Sequence, residues 1–229
     1  MTNLVLDKPI QTAPKTVLVV DDHPLMRQGL ALLVNQQHDL QVCGEAEEAQ
    51  TAMHAIAHLH PDIVILDISL NGPDGLELLK NIRATHPDLP VLILSMHDEA
   101  IYAERALRAR ANGYIMKQEA TEKVLVAVRR ILNGDVYLSD RMSNKMLQQY
   151  IGGAPSMIQS RIASLSDREL EVFRLIGEGR ATREIAEELH LSVKTVETYQ
   201  AHIKEKLVLR SGRELIQHAI QWKINERSA

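Results

Sequence analysis

Residues 15–34 read KTVLVVDDHPLMRQGLALLV: a run of four aliphatic residues from Val17 to Val20, a pair of aspartates, then a proline opening a helical pattern. A strand this continuously apolar is buried on both faces, which is the mark of a parallel sheet covered by helices. Pro24 suits a first helical turn, where its missing N–H has no partner to lose. The same module recurs four more times, with strands expected at Gln41–Gly44, Ile63–Leu66, Val91–Leu94 and Tyr114–Met116, each followed by a turn and a helix. The last of these helices is expected from Thr121 to Asn133, with Gly134 as its stop. The pattern predicts an α/β unit with a five-stranded, parallel, doubly wound sheet.

Beyond Gly134 the periodicity changes. Ser139, Asp140 and Arg141 open a polar helical stretch reaching Tyr150, and Gly152, Gly153, Ala154, Pro155 and Ser156 break it, as expected of a linker helix and a tether. Only helical patterns follow. Ser166 with Glu169 and Ser211 with Glu214 fit capping boxes, and Thr182 and Ser192 read as N-caps, so four short helices should start near residues 167, 183, 193 and 212. Residues 1–15, with Pro9 and Pro14, carry no period and read as a frayed arm.

Composition narrows the function classes. With 229 residues, 45% of them hydrophobic, the chain is long enough for two cores and too apolar for disorder. No stretch approaches the roughly 20 apolar residues of a membrane span, and a cytoplasmic protein without membrane attachment is expected. The single cysteine, Cys43, rules out an internal disulfide or a cysteine-built zinc site and reads as a small buried hydrophobe. Charge is uneven, with 14 Lys/Arg against 19 Asp/Glu up to Ser160 and 12 against 11 beyond it. A nearly neutral second half gives little support to nucleic-acid binding, so that reading depends on where individual side chains sit.

In an open parallel sheet, ligands bind at the carboxyl ends of the strands. Asp21 and Asp22 follow the first strand and Asp67 the third, so three carboxylates should share one small volume. Their repulsion is relieved by a hard divalent cation, here magnesium (Mg2+), and by Lys117, just past the fifth strand. Ser95 ends the fourth strand with a hydroxyl suited to a phosphoryl oxygen. A lone acid after a strand is more often a helix cap, and Asp22 before His23 and Pro24 fits that role too. Three acids, a hydroxyl and a lysine at different ends of one sheet point instead to phosphoryl transfer onto an aspartate.

On these residues, 16–134 resembles a receiver domain of the two-component type, a flavodoxin-like fold. The resemblance implies that Asp67 is the phosphoacceptor, charged by a histidine kinase. It makes Asp21 and Asp22 the magnesium pair, Ser69 a metal contact through its backbone carbonyl, Ser95 the switch hydroxyl, Tyr114 the switch aromatic and Lys117 the characteristic lysine. Arg110 departs from the pattern where relatives often have glycine; a left-handed backbone there would cost about 1 kcal/mol or more. His97 reads as an exposed residue at a helix start, with an influence on acyl-phosphate lifetime as the alternative.

In the second half, Thr182–Leu189, a turn through His190 and Leu191, and Ser192–Leu207 read as two helices joined tightly. Ile185, Ala186, Leu189, Leu191, Val193 and Val196 form the expected apolar seam. Lys194, Thr195, Thr198 and His202 could reach bases or phosphates, with Lys204 and Lys206 further along. Residues 165–222 resemble a LuxR-type helix-turn-helix, and the segment from Thr195 to Tyr199 matches a variant of its recognition helix. Glu197 and Ala201 stand where some relatives have lysine, so base preference does not transfer; Glu197 could accept from a cytosine amino group or pair with Lys194. Trp222 reads as a core anchor.

The whole resembles a NarL/FixJ-type response regulator, with a receiver at 16–134, linker helix and tether at 135–161, and a small all-α DNA-binding domain at 162–229. That resemblance implies double-stranded promoter DNA as a partner, a homodimer on paired half-sites, and no catalysis beyond the receiver's own phosphorylation and dephosphorylation. Two rivals remain at this level. A metal-dependent phosphatase would generally place an acid where Ser69 stands, and a protein-binding scaffold would not be retained by DNA.

Overall fold

The structure, a computed structural model, describes residues 13–70, 75–96, 99–152, 162 and 164–227. Most of the N-terminal arm, His97 and the tether from Gly153 to Ser156 lie outside these. Two compact units are present, and the chain passes from one to the other between Ser139 and Asp140.

In the first unit five strands alternate with helices: β1 Lys15–Val20, α1 Pro24–Asn35, β2 Leu40–Ala46, α2 Ala49–Leu59, β3 Ile63–Asp67, α3 Gly75–Thr85, β4 Val91–Ser95, α4 Glu99–Arg108, β5 Gly113–Met116 and α5 Ala120–Leu132. A single 3-10 turn, Lys117–Glu119, joins β5 to α5. All strand pairs are parallel and the sheet order is β2-β1-β3-β4-β5, so the winding reverses at β1 and β3. The expected five-stranded parallel fold is the observed one.

Burial explains why these runs are strands. Val17, Val19, Ile63, Ile65, Leu92, Leu94 and Ile115 pack with Leu30 and Val34 of α1 and Val124, Ala127, Val128 and Ile131 of α5. Leu18, Val64, Leu66 and Ile93 point to the opposite face by strand alternation and are equally buried, so both sides of the sheet are covered. The helices are less uniform than a leucine count suggests: Leu25 and Leu32 of α1 face solvent, and Leu30, Ala31 and Val34 carry its packing. Cys43, in β2, is only half-buried, with its Sγ near the Val17 carbonyl.

Arg110 takes the left-handed backbone, with φ 66°. Its N–H donates to the Leu107 carbonyl and Ala111 donates to the Ala106 carbonyl, closing α4. The Arg83 guanidinium then donates to the carbonyls of Arg110 and Leu89 and to Asn112 Oδ1. Three hydrogen bonds thus fix a turn whose side chain costs about 1 kcal/mol in this conformation.

Arg129 of α5 ties down the start of β2, donating Nε and Nη2 to the two Asp39 oxygens at 2.8 Å each. That hydrogen bonding holds the Asp39 carboxyl at about 2, below its ordinary 3.8. A depressed carboxylate contributes stability above its unfolded value and loses it as pH falls toward the folded one. Arg129→Ala should return the Asp39 midpoint toward 3.8 in a carboxyl NMR titration. Because both side chains are more than a third exposed, the stability lost at neutral pH should stay below about 1 kcal/mol.

The second unit contains α6 Asp140–Gly152, α7 Asp167–Gly177, α8 Thr182–Glu188, α9 Val193–Leu207 and α10 Gly212–Arg227. Leu170, Val172, Phe173, Leu175, Ile185, Val196, Ile203, Leu215 and Ala219 form its core. A Cβ on Gly177 would lie 2.6 Å from the Ala219 carbonyl oxygen, so glycine lets α7 and α10 approach backbone to backbone. Trp222 is half-buried and packs at a tilt against Phe173, with ring centroids 5.4 Å apart.

Three local expectations need correction. The N-cap of α8 is Ala181, not Thr182: the Ala181 N–H donates to Glu184 Oε2, and the Thr182 hydroxyl, one residue inside, accepts from Gln200. Ser211 does accept from the Glu214 N–H, but Glu214 reaches back to the N–H of Arg210 rather than of Ser211. Val193 is largely exposed, leaving Ile185, Ala186 and Val196 as the buried part of the seam.

Candidate functional site

Parallel register places the chemistry. Val20 of β1 is aligned with Leu66 of β3, so Asp21 and Asp67 leave the sheet side by side. Asp67 is aligned with Leu94 of β4, one residue before Ser95, and Ser95 with Met116 of β5, one residue before Lys117. One row of strand ends therefore carries an acid, an acid, a hydroxyl and an amine.

The side chains meet there. Lys117 Nζ lies 2.7 Å from Asp67 Oδ2 and 2.8 Å from Asp21 Oδ2, and all three residues are buried. Asp67 Oδ1 accepts from the Ser69 N–H at 3.0 Å. Asp21 Oδ1 accepts from the His23 N–H at 2.8 Å, and Arg27 of α1 donates to the Asp21 carbonyl. Asp22 Oδ1 faces His23 Nδ1 at 2.6 Å. The N-cap of α1 is His23, so Asp22 is not the cap and its carboxylate belongs to the pocket. Ser95 and Tyr114 are both buried.

Electrostatics follow from one cation between two buried anions. Burial pushes the Asp67 carboxyl up, further than Lys117 draws it down, and Asp21 adds to the rise. Burial pulls the Lys117 ammonium down, but Asp67 and Asp21 outweigh it and hold it above the ordinary lysine value. Asp67 thus rises chiefly because it is buried, and Lys117 because two carboxylates face it. Ligand atoms of Asp21, Asp22, His23 and Asp67 lie within 4.8 Å of one another. A set of mainly carboxylate oxygens with surplus negative charge fits a hard divalent cation.

In the second unit, α9 presents Lys194, Glu197, Thr198, Ala201 and Glu205 outward at helical spacing, all exposed. Ser192 caps the helix, accepting from the Thr195 N–H at 3.0 Å, with the Thr195 hydroxyl 2.7 Å from its own; Thr198 Oγ1 donates to the Lys194 carbonyl. Lys204 is half-buried. His202 is turned toward α7, with Nδ1 3.7 Å from Glu169 Oε1.

Glu169 is the residue that sequence reasoning undervalued. It is buried, accepts from the Ser166 N–H at 2.6 Å and receives Lys206 Nζ at 2.6 Å, so one carboxylate caps α7 and anchors the end of α9. The capping box was visible; its partner 37 residues away was not. Glu169→Ala should lower the stability of this unit by about 2 kcal/mol, since it strips a cap and leaves Lys206 without its anion. Urea unfolding followed through Trp222, the only tryptophan, reads this unit selectively; an unchanged midpoint would make the contact neutral.

An acidic pocket closed by a lysine at the strand ends of a parallel sheet, followed by a capped two-helix motif, defines a class: residues 17–129 match the response regulator receiver domain, and residues 163–219 match the bacterial regulatory proteins of the luxR family. The chain belongs to the NarL/FixJ-type response regulators, DNA-binding proteins of two-component systems. Among its relatives is the oxygen regulatory protein NreC of Staphylococcus carnosus (strain TM300), 35% identical over 91% of this chain and 98% of that one. Similar solved structures include RcsB from Salmonella enterica serovar Typhimurium bound to promoter rprA in the presence of the phosphomimetic BeF3- (TM-score 0.59, 25% identity, 90% of this chain and 98% of that one). Another is a LuxR-family two-component response regulator from Aurantimonas sp. SI85-9A1 (TM-score 0.57, 30% identity, 60% and 99%). Among the described residues no helix is long and apolar enough to cross a membrane.

Proposed function

We propose that Asp67 is the phosphoacceptor of this regulator and that its phosphorylation by a histidine kinase controls DNA binding by α9. The observation that carries the reading is the junction of Asp21, Asp67 and Lys117 at buried strand ends. In the transfer, a carboxylate oxygen of Asp67 forms a bond to phosphorus while the P–N bond to the kinase imidazole breaks, its electron pair returning to the ring. Asp21, Asp22, Asp67 and the Ser69 carbonyl would hold magnesium, which supplies charge neutralisation of the phosphoryl oxygens. Lys117 holds a second positive charge against the same group. Ser95, one strand away, gives a hydroxyl that a phosphoryl oxygen can attract, and Tyr114 is buried in β5, the strand next to it.

The domain limits that fit this division of labour are 16–134, 135–161 and 162–229. On DNA, Lys194, Thr195, Glu197, Thr198, His202 and Lys204 are the candidate contacts, with the outward stripe of Lys194, Glu197 and Thr198 best placed for bases. Dimers on paired half-sites are consistent with the RcsB dimers bound to DNA. The protein is a cytoplasmic switch rather than a turnover enzyme.

The test is to incubate the full-length protein with magnesium and acetyl phosphate and to weigh it. A gain of one phosphoryl group, absent when the metal is chelated, supports the reading; sustained release of phosphate from monoesters would favour a phosphatase instead.

A further inference from the structure

After Gly134 the chain does not leave the receiver at once. The Tyr137 N–H donates to the Asn112 carbonyl at 2.9 Å and the Tyr114 N–H donates to the Tyr137 carbonyl at 3.1 Å, adding a single parallel bridge, Gly113 to Tyr137, beside edge strand β5. Gly113 makes room for it: a Cβ there would lie 2.9 Å from both the Tyr137 carbonyl oxygen and Ile131 Cδ1. The Arg130 guanidinium sits 5.7 Å over the Tyr137 ring. Two residues on, Ser139 donates twice to one carboxylate, from N to Glu99 Oε1 at 3.2 Å and from Oγ to Glu99 Oε2 at 2.5 Å. Ser139 is the residue before α6, the first residue of which is Asp140.

The two anchor points are not arbitrary places on the receiver. One is the backbone of Tyr114 itself. The other, Glu99, opens α4 four residues after Ser95. We propose that residues 137–139 are a latch that, without phosphate, holds the entrance to the linker helix against β5 and α4, and that phosphorylation opens it by displacing Glu99. The inference rests on the proposed roles of Asp67, Ser95 and Tyr114. When the phosphoryl group draws the Ser95 hydroxyl toward Asp67, Glu99 at the start of α4 is displaced, and its bidentate contact to Ser139 cannot keep its geometry. The Tyr137 bridge, two hydrogen bonds at a sheet edge, is then held only by the packing of the Tyr137 ring on the core beside Arg130. The phosphoryl group shifts the population because it interacts better with the unlatched arrangement.

The experiment is amide hydrogen exchange on full-length protein, read over residues 135–145, for the wild type, Ser139→Ala, Glu99→Ala and Ser139→Thr, each before and after acetyl phosphate and magnesium. Unphosphorylated Ser139→Ala and Glu99→Ala should exchange about tenfold faster there than the wild type, near the rate of the phosphorylated wild type, while Ser139→Thr, which keeps the hydroxyl, should stay slow. On a duplex selected from a random pool by the phosphorylated wild type, unphosphorylated Ser139→Ala should bind about fivefold tighter than the unphosphorylated wild type, with the phosphorylated forms equal. Wild-type exchange that does not respond to a verified mass gain, or Ser139→Ala indistinguishable from the wild type, overturns the latch. Absence of the mass gain overturns the Asp67 assignment instead, and the exchange rates of the unphosphorylated variants still decide whether Ser139 and Glu99 restrain the segment.

Discussion

Asp67→Asn should leave the protein's mass unchanged under conditions that add one phosphoryl group to the wild type, a loss of labelling of at least about 100-fold, and should abolish any effect of acetyl phosphate on DNA affinity. The carboxamide is nearly isosteric, so the packing of this buried residue survives, but its oxygen is not an anionic nucleophile and its nitrogen has no free lone pair to offer. Lys117 keeps an oxygen partner in Asp21 at 2.8 Å. The variant should therefore fold and melt close to the wild type, which separates loss of chemistry from loss of structure. Residual labelling of the same stoichiometry would move the phosphoacceptor elsewhere.

Lys117→Met should be the more disruptive change to stability. It keeps most of the length of the side chain while removing the ammonium that, among the described residues, contacts both Asp21 and Asp67. Two buried carboxylates then face each other without a counter-charge, and breaking a buried ion pair by deleting one partner costs about 3 kcal/mol or more. Magnesium should restore part of that stability, since it supplies the missing charge to the same oxygens. Urea unfolding followed by far-ultraviolet circular dichroism, with chelator and with added magnesium, measures both quantities. A midpoint equal to the wild type in chelator would mean that the pocket tolerates its own repulsion.

What could be read from residues alone follows the range of the interactions involved. The strands were legible because a run such as Ile63–Leu66 is apolar at every position, and the row of Asp21, Asp67, Ser95 and Lys117 was legible because parallel register brings strand ends together whatever the loops do. Contacts between distant segments left no local trace. Glu169 shows its cap to Ser166 in the sequence but not its ion pair with Lys206, and nothing in Val136-Tyr137-Leu138-Ser139 announces that Tyr137 bridges to Gly113 or that Ser139 reaches Glu99. Apolar chemistry alone also does not ensure burial: Val193, expected in the seam, sits outside the core, as do Leu25 and Leu32 of α1. The left-handed Arg110 was anticipated as a cost; the three hydrogen bonds from Arg83 that fix the turn were not.

The close crossing of α7 and α10 at Gly177 bears on how the DNA-binding part is excised for study. The match to the luxR family ends at residue 219, the residue whose carbonyl meets Gly177, whereas the aromatic lid on Phe173 is supplied three residues later by Trp222. A fragment trimmed at that boundary would lose the indole and bare the phenylalanine. Any shortened version has to run past Trp222 to keep its interior dry.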